Sequence, residues 1–295
     1  MAAEGELSFA NDPAVGLRYE IRESIASGGF ARVFKAIQRA TGQEVAVKLL
    51  RLERGSGSDG VGEQTDRFRR ETRLCAELHH PNIVPLIDSG ETSDGQLYAV
   101  FAFVPGWNLG DVLAAEGSLE PEEALHFMTQ VMDAISCAHV RGVVHRDLKP
   151  GNIMVSSTGA RRNALVLDFG LGTVAAGPRL GELRPLTRRG DYLGTPLYSA
   201  PEQLRGESPT VKSDLYSWGL VFLECLTGEP ALGSLIPHEI VHRHLSPEPI
   251  SIPASLSRHE LGYVLRVVTE KDVRRRNISA DQVLATLQRC ARASL

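Results

Sequence analysis

The stretch at 214–226 constrains this chain most. It carries Leu215, Trp218, Leu220, Val221, Phe222, Leu223 and Leu226, apolar nearly all the way round. A helix without a polar face must be enclosed by other elements, so it belongs in the middle of a helical domain, with Ser213 placed to cap its start. A second helix is predicted from Pro121, whose ring suits a first helical position, with Glu122 and Glu123 opposing the dipole there. Leu125, Met128, Met132, Ile135 and His139 recur on one face of it. The chain ahead of these helices reads differently. Residues 44–50 and 97–104 are short β-rich runs. Between them lie a glycine- and serine-rich stretch at 55–60, a flexible linker by composition, and a helix predicted over 67–78 with Phe68, Leu74 and Leu78 apolar. The expected organisation is α+β and two-lobed. Residues 1–18 form a tail, 19–104 a β-rich lobe with one main helix and 105–290 an α-rich lobe, joined near Pro105-Gly106.

Composition allows this and excludes other classes. In 295 residues, 42% are hydrophobic and 23% charged, enough for such a core. A net charge of -4 gives no footprint for nucleic acid, and Arg274-Arg275-Arg276 does not change this. Cys75, Cys137, Cys225 and Cys290 form no C-x-x-C pair, which fits reduced thiols in a cytoplasmic protein. The first residues include Glu4 and Glu6 and do not resemble a secretory signal. No run approaches the roughly 18 apolar residues that span a bilayer. No membrane segment is expected in this chain, and an anchor in a longer parent is left open.

Several motifs suit phosphate chemistry. Ile25-Ala26-Ser27-Gly28-Gly29-Phe30-Ala31-Arg32-Val33 is a glycine-containing turn between strand-like residues, and small residues let backbone N–H groups approach phosphate oxygens. Lys48 ends Val45-Ala46-Val47-Lys48. An ammonium in an apolar strand needs a negative partner, and either phosphate or Glu71 of the next helix could serve. His145-Arg146-Asp147-Leu148-Lys149-Pro150-Gly151-Asn152 gathers a carboxylate, an ammonium and an amide, and Leu167-Asp168-Phe169-Gly170 adds a second acid. Together they could take a hydroxyl proton, neutralise a moving phosphoryl group and hold Mg²⁺ through hard oxygen ligands.

From about Tyr19 to Arg289 the chain resembles the eukaryotic-type (Hanks-type) protein kinases, in the style of bacterial members. The motifs stand in family order: glycine loop, Val-Ala-Val-Lys, helix glutamate, His-Arg-Asp, Asp-Phe-Gly and Ala200-Pro201-Glu202. The resemblance implies an ATP- and Mg²⁺-dependent serine/threonine protein kinase. Lys48 would contact the α- and β-phosphates and pair with Glu71. Asp147 would be the base and Lys149 the charge stabiliser, with Asn152 and Asp168 as metal ligands. The glycine loop from Ile25 to Val33 would cover ATP. Ile25, Val33 and Ala46 would wall the adenine, with Phe101 as gatekeeper and Ala102 C=O and Val104 N–H as hinge contacts. Lys149, and the segment from Gly194 through Thr195 to Glu202, favour Ser/Thr over Tyr. Thr195, in the substrate-facing loop, would bond the catalytic Asp and Lys. Glu202 would pair with Arg276, and Asp214 would cap the central helix and tie it to the catalytic loop. Arg146 would receive a phosphate on the activation loop, with Thr187 the first choice of site before Thr173 and Tyr192. Partners would be proteins bearing Ser or Thr, with a homodimer as one route to autophosphorylation in trans.

Ala26, Ala31, Ala102 and Asn277 depart from the usual pattern, but no catalytic group is missing. An ATP-binding pseudokinase-like scaffold is the alternative, supported only by the altered glycine loop. A small-molecule kinase of related fold is disfavoured by Ala200-Pro201-Glu202. His238 and His242 share i,i+4 spacing, but no H-E-x-x-H order completes a metal site, so these two and His244 read as solvated helix surface. His79-His80-Pro81-Asn82 reads as a structural turn after the helix, and Arg188-Arg189 as solvated loop charge.

Overall fold

The computed structural model describes residues 9–10, 12–28, 31–50, 58–169, 196–233 and 235–293. The first lobe is an antiparallel sheet of β1 (Tyr19–Ser27), β2 (Ala31–Gln38), β3 (Glu44–Leu50), β4 (Leu86–Glu91) and β5 (Leu97–Ala102), in spatial order β1-β2-β3-β5-β4. Alternation along the strands sends Phe34, Val45, Val47, Tyr98 and Val100 to one face and Leu97, Ala99 and Phe101 to the other.

The outer face is covered from the chain's beginning, so the expected tail is only partly one. Phe9 and Val15 are buried in that core, and Phe9 stacks on Phe34 at 5.4 Å. Asp12 caps the short helix α1 (Pro13–Gly16) through the Ala14 N–H, and it also accepts from the Ser93 N–H at 2.9 Å. The reason is chemical: a sheet with apolar residues on both faces needs a cover on each.

The inner face meets helix α2 (Ser58–Ala76), which buries Phe68. This helix starts nine residues before the expected 67. Part of the glycine-rich stretch read as linker, Ser58 to Gly60, lies inside it. Gly60 and Gly62 weaken its first turns by about 1 kcal/mol each against alanine, which is why local composition spoke against it. After α2 the His79–Asn82 turn joins the lobes. Val84 N–H donates to Val166 O at 3.0 Å and Val166 N–H to Asn82 O at 2.8 Å.

The second lobe contains a small sheet of β6 (Trp107–Asn108), β7 (Ile153–Thr158) and β8 (Arg161–Val166). Its helices include α3 (Leu109–Glu116), α4 (Pro121–Val140), α5 (Pro201–Leu204), α6 (Val211–Thr227), α7 (Pro237–Leu245), α8 (Glu260–Val268) and α9 (Ala280–Ala293). Helix α6 is the enclosed one, with every residue from Ser213 to Cys225 buried. The Trp218 indole donates to Met128 O of α4 at 2.9 Å, which fixes the two helices together. The cap of α6 is Thr210, not Ser213. The Thr210 hydroxyl accepts from the Lys212 N–H, and Ser213 reaches back to the Thr210 N–H at 3.0 Å, three residues into the reciprocal box. Gly228 ends the helix with φ 79°, a left-handed position that suits glycine. The two-lobed α+β expectation holds.

Candidate active site

Strand register assembles one wall of the site. Val33 lies opposite Lys48 and Lys48 opposite Ala99, while Ala46 lies opposite Phe101. Opposed residues of antiparallel strands share a face, so Val33, Ala46, Lys48 and Phe101 all lie on the sheet's inner side, and Phe101 is buried. Ile25 sits beside a β-bulge between Ser24 and Ala26 and is 44% exposed. The Gly28 N–H donates to Ala31 O at 2.9 Å across the base of the loop. Ala26 and Ala31 are strand residues without positive φ, so alanine in place of glycine carries no backbone strain at either. Ser27 lies opposite Arg32. Ala102 and Val104 are half-buried beside the core of this lobe. Gly29, Phe30, Thr187 and Thr195, like Thr173 and Tyr192, lie outside the described residues.

The His145–Asn152 segment is held from beneath by Asp214 of α6. Its carboxylate accepts from the His145 and Arg146 backbone N–H groups, each at 2.8 Å, and lies 2.8 Å from His139 Nε2. The tie expected of Asp214 is present, while the capping belongs to Thr210. His145 donates from Nε2 to Leu167 O at 2.9 Å and accepts the Asp147 N–H at Nδ1, so one imidazole links the two acidic motifs. Its ring also packs edge-on against Phe169 at 4.8 Å. Arg146 and Asp168 are the non-glycine residues with positive φ among those described, at 72° and 58°. Such backbone costs on the order of 1–2 kcal/mol and persists where surrounding bonds over-determine it, a pattern concentrated at functional sites. Arg146 meets that condition, because Gln203 Nε2 also donates to its carbonyl at 2.8 Å.

Within this frame the Asp147 carboxylate accepts from Lys149 Nζ at 2.7 Å and from Asn152 Nδ2 at 3.1 Å. Asn152 Nδ2 also donates to Asp147 O at 2.7 Å. That leaves Asn152 Oδ1 without a protein partner among the described residues. The Leu167 N–H donates to Asn152 O at 2.9 Å, which brings Asp168 alongside. An amide oxygen and a carboxylate beside one another are hard donors that fit Mg²⁺.

The ion pairs differ from the expected set. Lys48 Nζ lies 2.8 Å from Asp168 Oδ2, and Glu71 Oε1 lies 2.9 Å from the Arg146 guanidinium. Lys48 and Glu71 are therefore not paired. Glu71 is almost wholly buried and requires a cation. Arg146, pinned through its backbone to Asp214, supplies one, and Lys48 is satisfied by Asp168. Motif order names both cations but does not rank their reach. Cys75 of α2 donates to Phe169 O at 2.9 Å, and burial pushes its thiol up to about 12, so it packs as an un-ionised group.

The structural pair is as expected. Arg276 NH1 lies 2.8 Å from Glu202 Oε1, with both side chains almost fully buried, and Ser213 Oγ donates to the same carboxylate at 2.7 Å. Sequence reasoning missed other groups nearby. Gln203 carried no signal. Tyr198 donates to Glu224 Oε2 at 2.6 Å, a carboxyl that burial pushes above its ordinary value. His238 and His242 are exposed as read, but His244, two residues further and on the opposite side of the helix, is fully buried.

A β-rich lobe and a helical lobe that bring two acids, a lysine and an amide to their junction define a phosphotransferase of the protein kinase type. Comparison with known proteins agrees. The protein kinase domain family model matches residues 19–286. The chain is 36% identical over 251 residues to the serine/threonine-protein kinase PknB of Mycobacterium leprae, covering 84% of this chain and 38% of that protein. It is 38% identical over 231 residues to PrkC of Bacillus subtilis, covering 78% and 34%, and 36% identical over 247 residues to PkaA of Streptomyces coelicolor, covering 80% and 43%. The chain belongs to the Hanks-type protein kinase family, and these bacterial relatives are serine/threonine kinases. It spans 34% to 43% of their length. Kinases of this family use ATP, typically with Mg²⁺. Among the described residues no helix is long and apolar enough to cross a membrane.

Proposed function

We propose that this chain transfers the γ-phosphate of ATP to Ser or Thr hydroxyls of proteins, its own included. The observation that carries the reading is the Asp147 carboxylate held by both Lys149 and Asn152, with the Leu167–Asn152 backbone bond joining it to the segment of the Lys48–Asp168 pair. Asp147 orients the attacking hydroxyl and accepts its proton as the new P–O bond forms and the bond to the ADP oxygen breaks. Lys149 neutralises charge on the moving group, and Lys48 positions the α- and β-phosphates. Val33, Ala46 and Phe101 supply apolar surface for adenine, with Ala102 and Val104 as its backbone contacts. When bound, Mg²⁺ would neutralise the β- and γ-phosphates, held by Asn152 Oδ1 and Asp168. Positioning and electrostatics dominate, as phosphoryl transfer requires. Thr187 is the proposed activating phosphosite. A phosphate there would compete with Glu71 for Arg146.

Incubation with ATP and Mg²⁺ followed by intact mass tests the reading. The unmodified chain gains mass in steps of one phosphate, and Asp147→Asn and Lys48→Met do not. Retained labelling in Asp147→Asn overturns the assigned base. Phosphosite mapping of the same samples tests Thr187, and the oligomeric state during labelling tests transfer in trans.

A further inference from the structure

Beneath the turn at Pro196–Tyr198, which directly follows Thr195, lies a histidine that the reaction above does not use. His244, in the last turn of α7, is 0% exposed. Its Nδ1 lies 2.8 Å from the Tyr216 hydroxyl of α6, and the Arg276 guanidinium sits over the Tyr216 ring at 4.8 Å. That hydroxyl has no other partner among the described residues, and burial raises its pKa, so it keeps its proton. A buried O–H needs an acceptor, and Nδ1 is the one within reach. The ring proton of His244 is therefore on Nε2. Nε2 is itself buried and has no hydrogen-bond partner among the described residues.

The surroundings show where that donor is directed. The backbone of Pro196 and Leu197 lies close enough to favour a charged imidazole, although neither residue reaches hydrogen-bond geometry with Nε2. Burial, then the positive charge of Lys271, outweigh this and push the imidazole down to about 4, so the ring is neutral and offers one N–H. The Lys271 ammonium donates to the Arg243 and Ser246 carbonyls and so closes the end of α7, on either side of His244.

We propose that His244 is a positioning residue for the substrate turn, its Nε2–H bonding a backbone carbonyl of Pro196–Tyr198 when the turn seats against a protein substrate. Tyr216 sets the tautomer, and through Arg276 and Glu202 the device is anchored in the central helix. The proposal rests on the kinase reading, so its test includes a measurement that needs no turnover.

The kinetic arm uses the Ser/Thr library peptide that the unmodified chain phosphorylates best. His244→Leu raises the peptide KM about tenfold, the worth of one neutral hydrogen bond. The ATP KM and the kcat at saturating peptide stay within about twofold. His244→Gln, which keeps an N–H near the Nε2 position, recovers most of the loss, a rescue that a purely packing role would not give. Tyr216→Phe, which frees the ring proton to move to Nδ1, raises the peptide KM in the same direction, and it decides the matter if His244→Leu melts before assay temperature. The second arm is the ¹⁵N spectrum of histidine-labelled chain, in which His244 is neutral and protonated at Nε2 at pH 7. Equal losses in His244→Leu and His244→Gln, a fall in kcat with unchanged peptide KM, or an Nδ1-protonated or charged ring each overturn the proposal. An unmodified chain that labels nothing sinks the kinase reading instead, and the tautomer measurement still decides the geometry on which this one depends.

Discussion

Arg276→Met keeps an apolar side chain of similar reach and removes the guanidinium. In the folded chain the Arg276 and Glu202 side chains are 0% and 3% exposed and meet at 2.8 Å. The same guanidinium donates to the Lys212 and Glu270 carbonyls at 2.7 and 3.0 Å. The variant leaves a buried carboxylate with Ser213 as its remaining side-chain partner among the described residues, and breaking one side of a buried pair costs about 3–5 kcal/mol. At roughly 2–4 °C per kcal/mol for a large domain, the melting temperature falls by roughly 6–20 °C. The pH dependence has a definite sign. Burial pushes the Glu202 carboxyl up, but hydrogen bonding and charge from Arg276, with Ser213, hold it below its ordinary value. The unmodified chain therefore has the pair's stabilisation above the unfolded carboxyl range and loses it as pH falls through the lower folded value. Without Arg276 burial dominates, the folded value rises above the unfolded one, and the penalty is greatest at neutral pH. The gap between the two melting curves narrows from pH 7 toward pH 5. A loss under about 1 kcal/mol at pH 7 by urea titration, or a gap that widens on acidification, refutes the reasoning.

Phe9→Ala removes a buried ring stacked on Phe34 and costs about 3–5 kcal/mol by urea denaturation; a loss under about 1 kcal/mol would return residues 9–18 to the status of a tail. Tyr198→Phe takes the hydroxyl donor from buried Glu224, so it costs about 1–3 kcal/mol at neutral pH. That cost shrinks on acidification as Glu224 takes up its proton, which a pH series of melting curves reads directly. In Gly262→Ala the new Cβ would lie 1.9 Å from the Leu256 carbonyl oxygen, so α8 must shift, at about 2–3 kcal/mol in thermal melts. Gly62→Ala, with open space around it in α2, gains about 1 kcal/mol and serves as the control.

The parts of this molecule legible in its sequence are those where several residues say the same thing. The enclosed helix α6 announces itself by apolar residues on all sides, and the phosphate-handling groups by a carboxylate, an amine and an amide a few positions apart. The Glu202–Arg276 pair was reached through family resemblance rather than periodicity, since nothing local joins residues 74 positions apart. What stayed hidden depends on tertiary reach. The choice of Lys48 for Asp168 and of Glu71 for Arg146 follows from where Asp214 fixes the Arg146 backbone. The early start of α2 was masked by Gly60 and Gly62, whose local preference is overridden by packing around Phe68. His244 looked like its exposed neighbours because a helix turns about 200° in two residues, which carries it from water to core.

The attachment of the His145–Asp147 segment to Asp214 sets an order of assembly. Asp147 is encoded in the first half of the chain, while the carboxylate that fixes the backbone of the two residues before it emerges 67 residues later, on a helix that is itself stable only when walled in by its neighbours. During synthesis the β-rich portion can close around its sheet while the reactive loop has nothing to rest on. A nascent chain cut short before Asp214 therefore carries His145, Arg146 and Asp147 without the carboxylate on which their backbone rests.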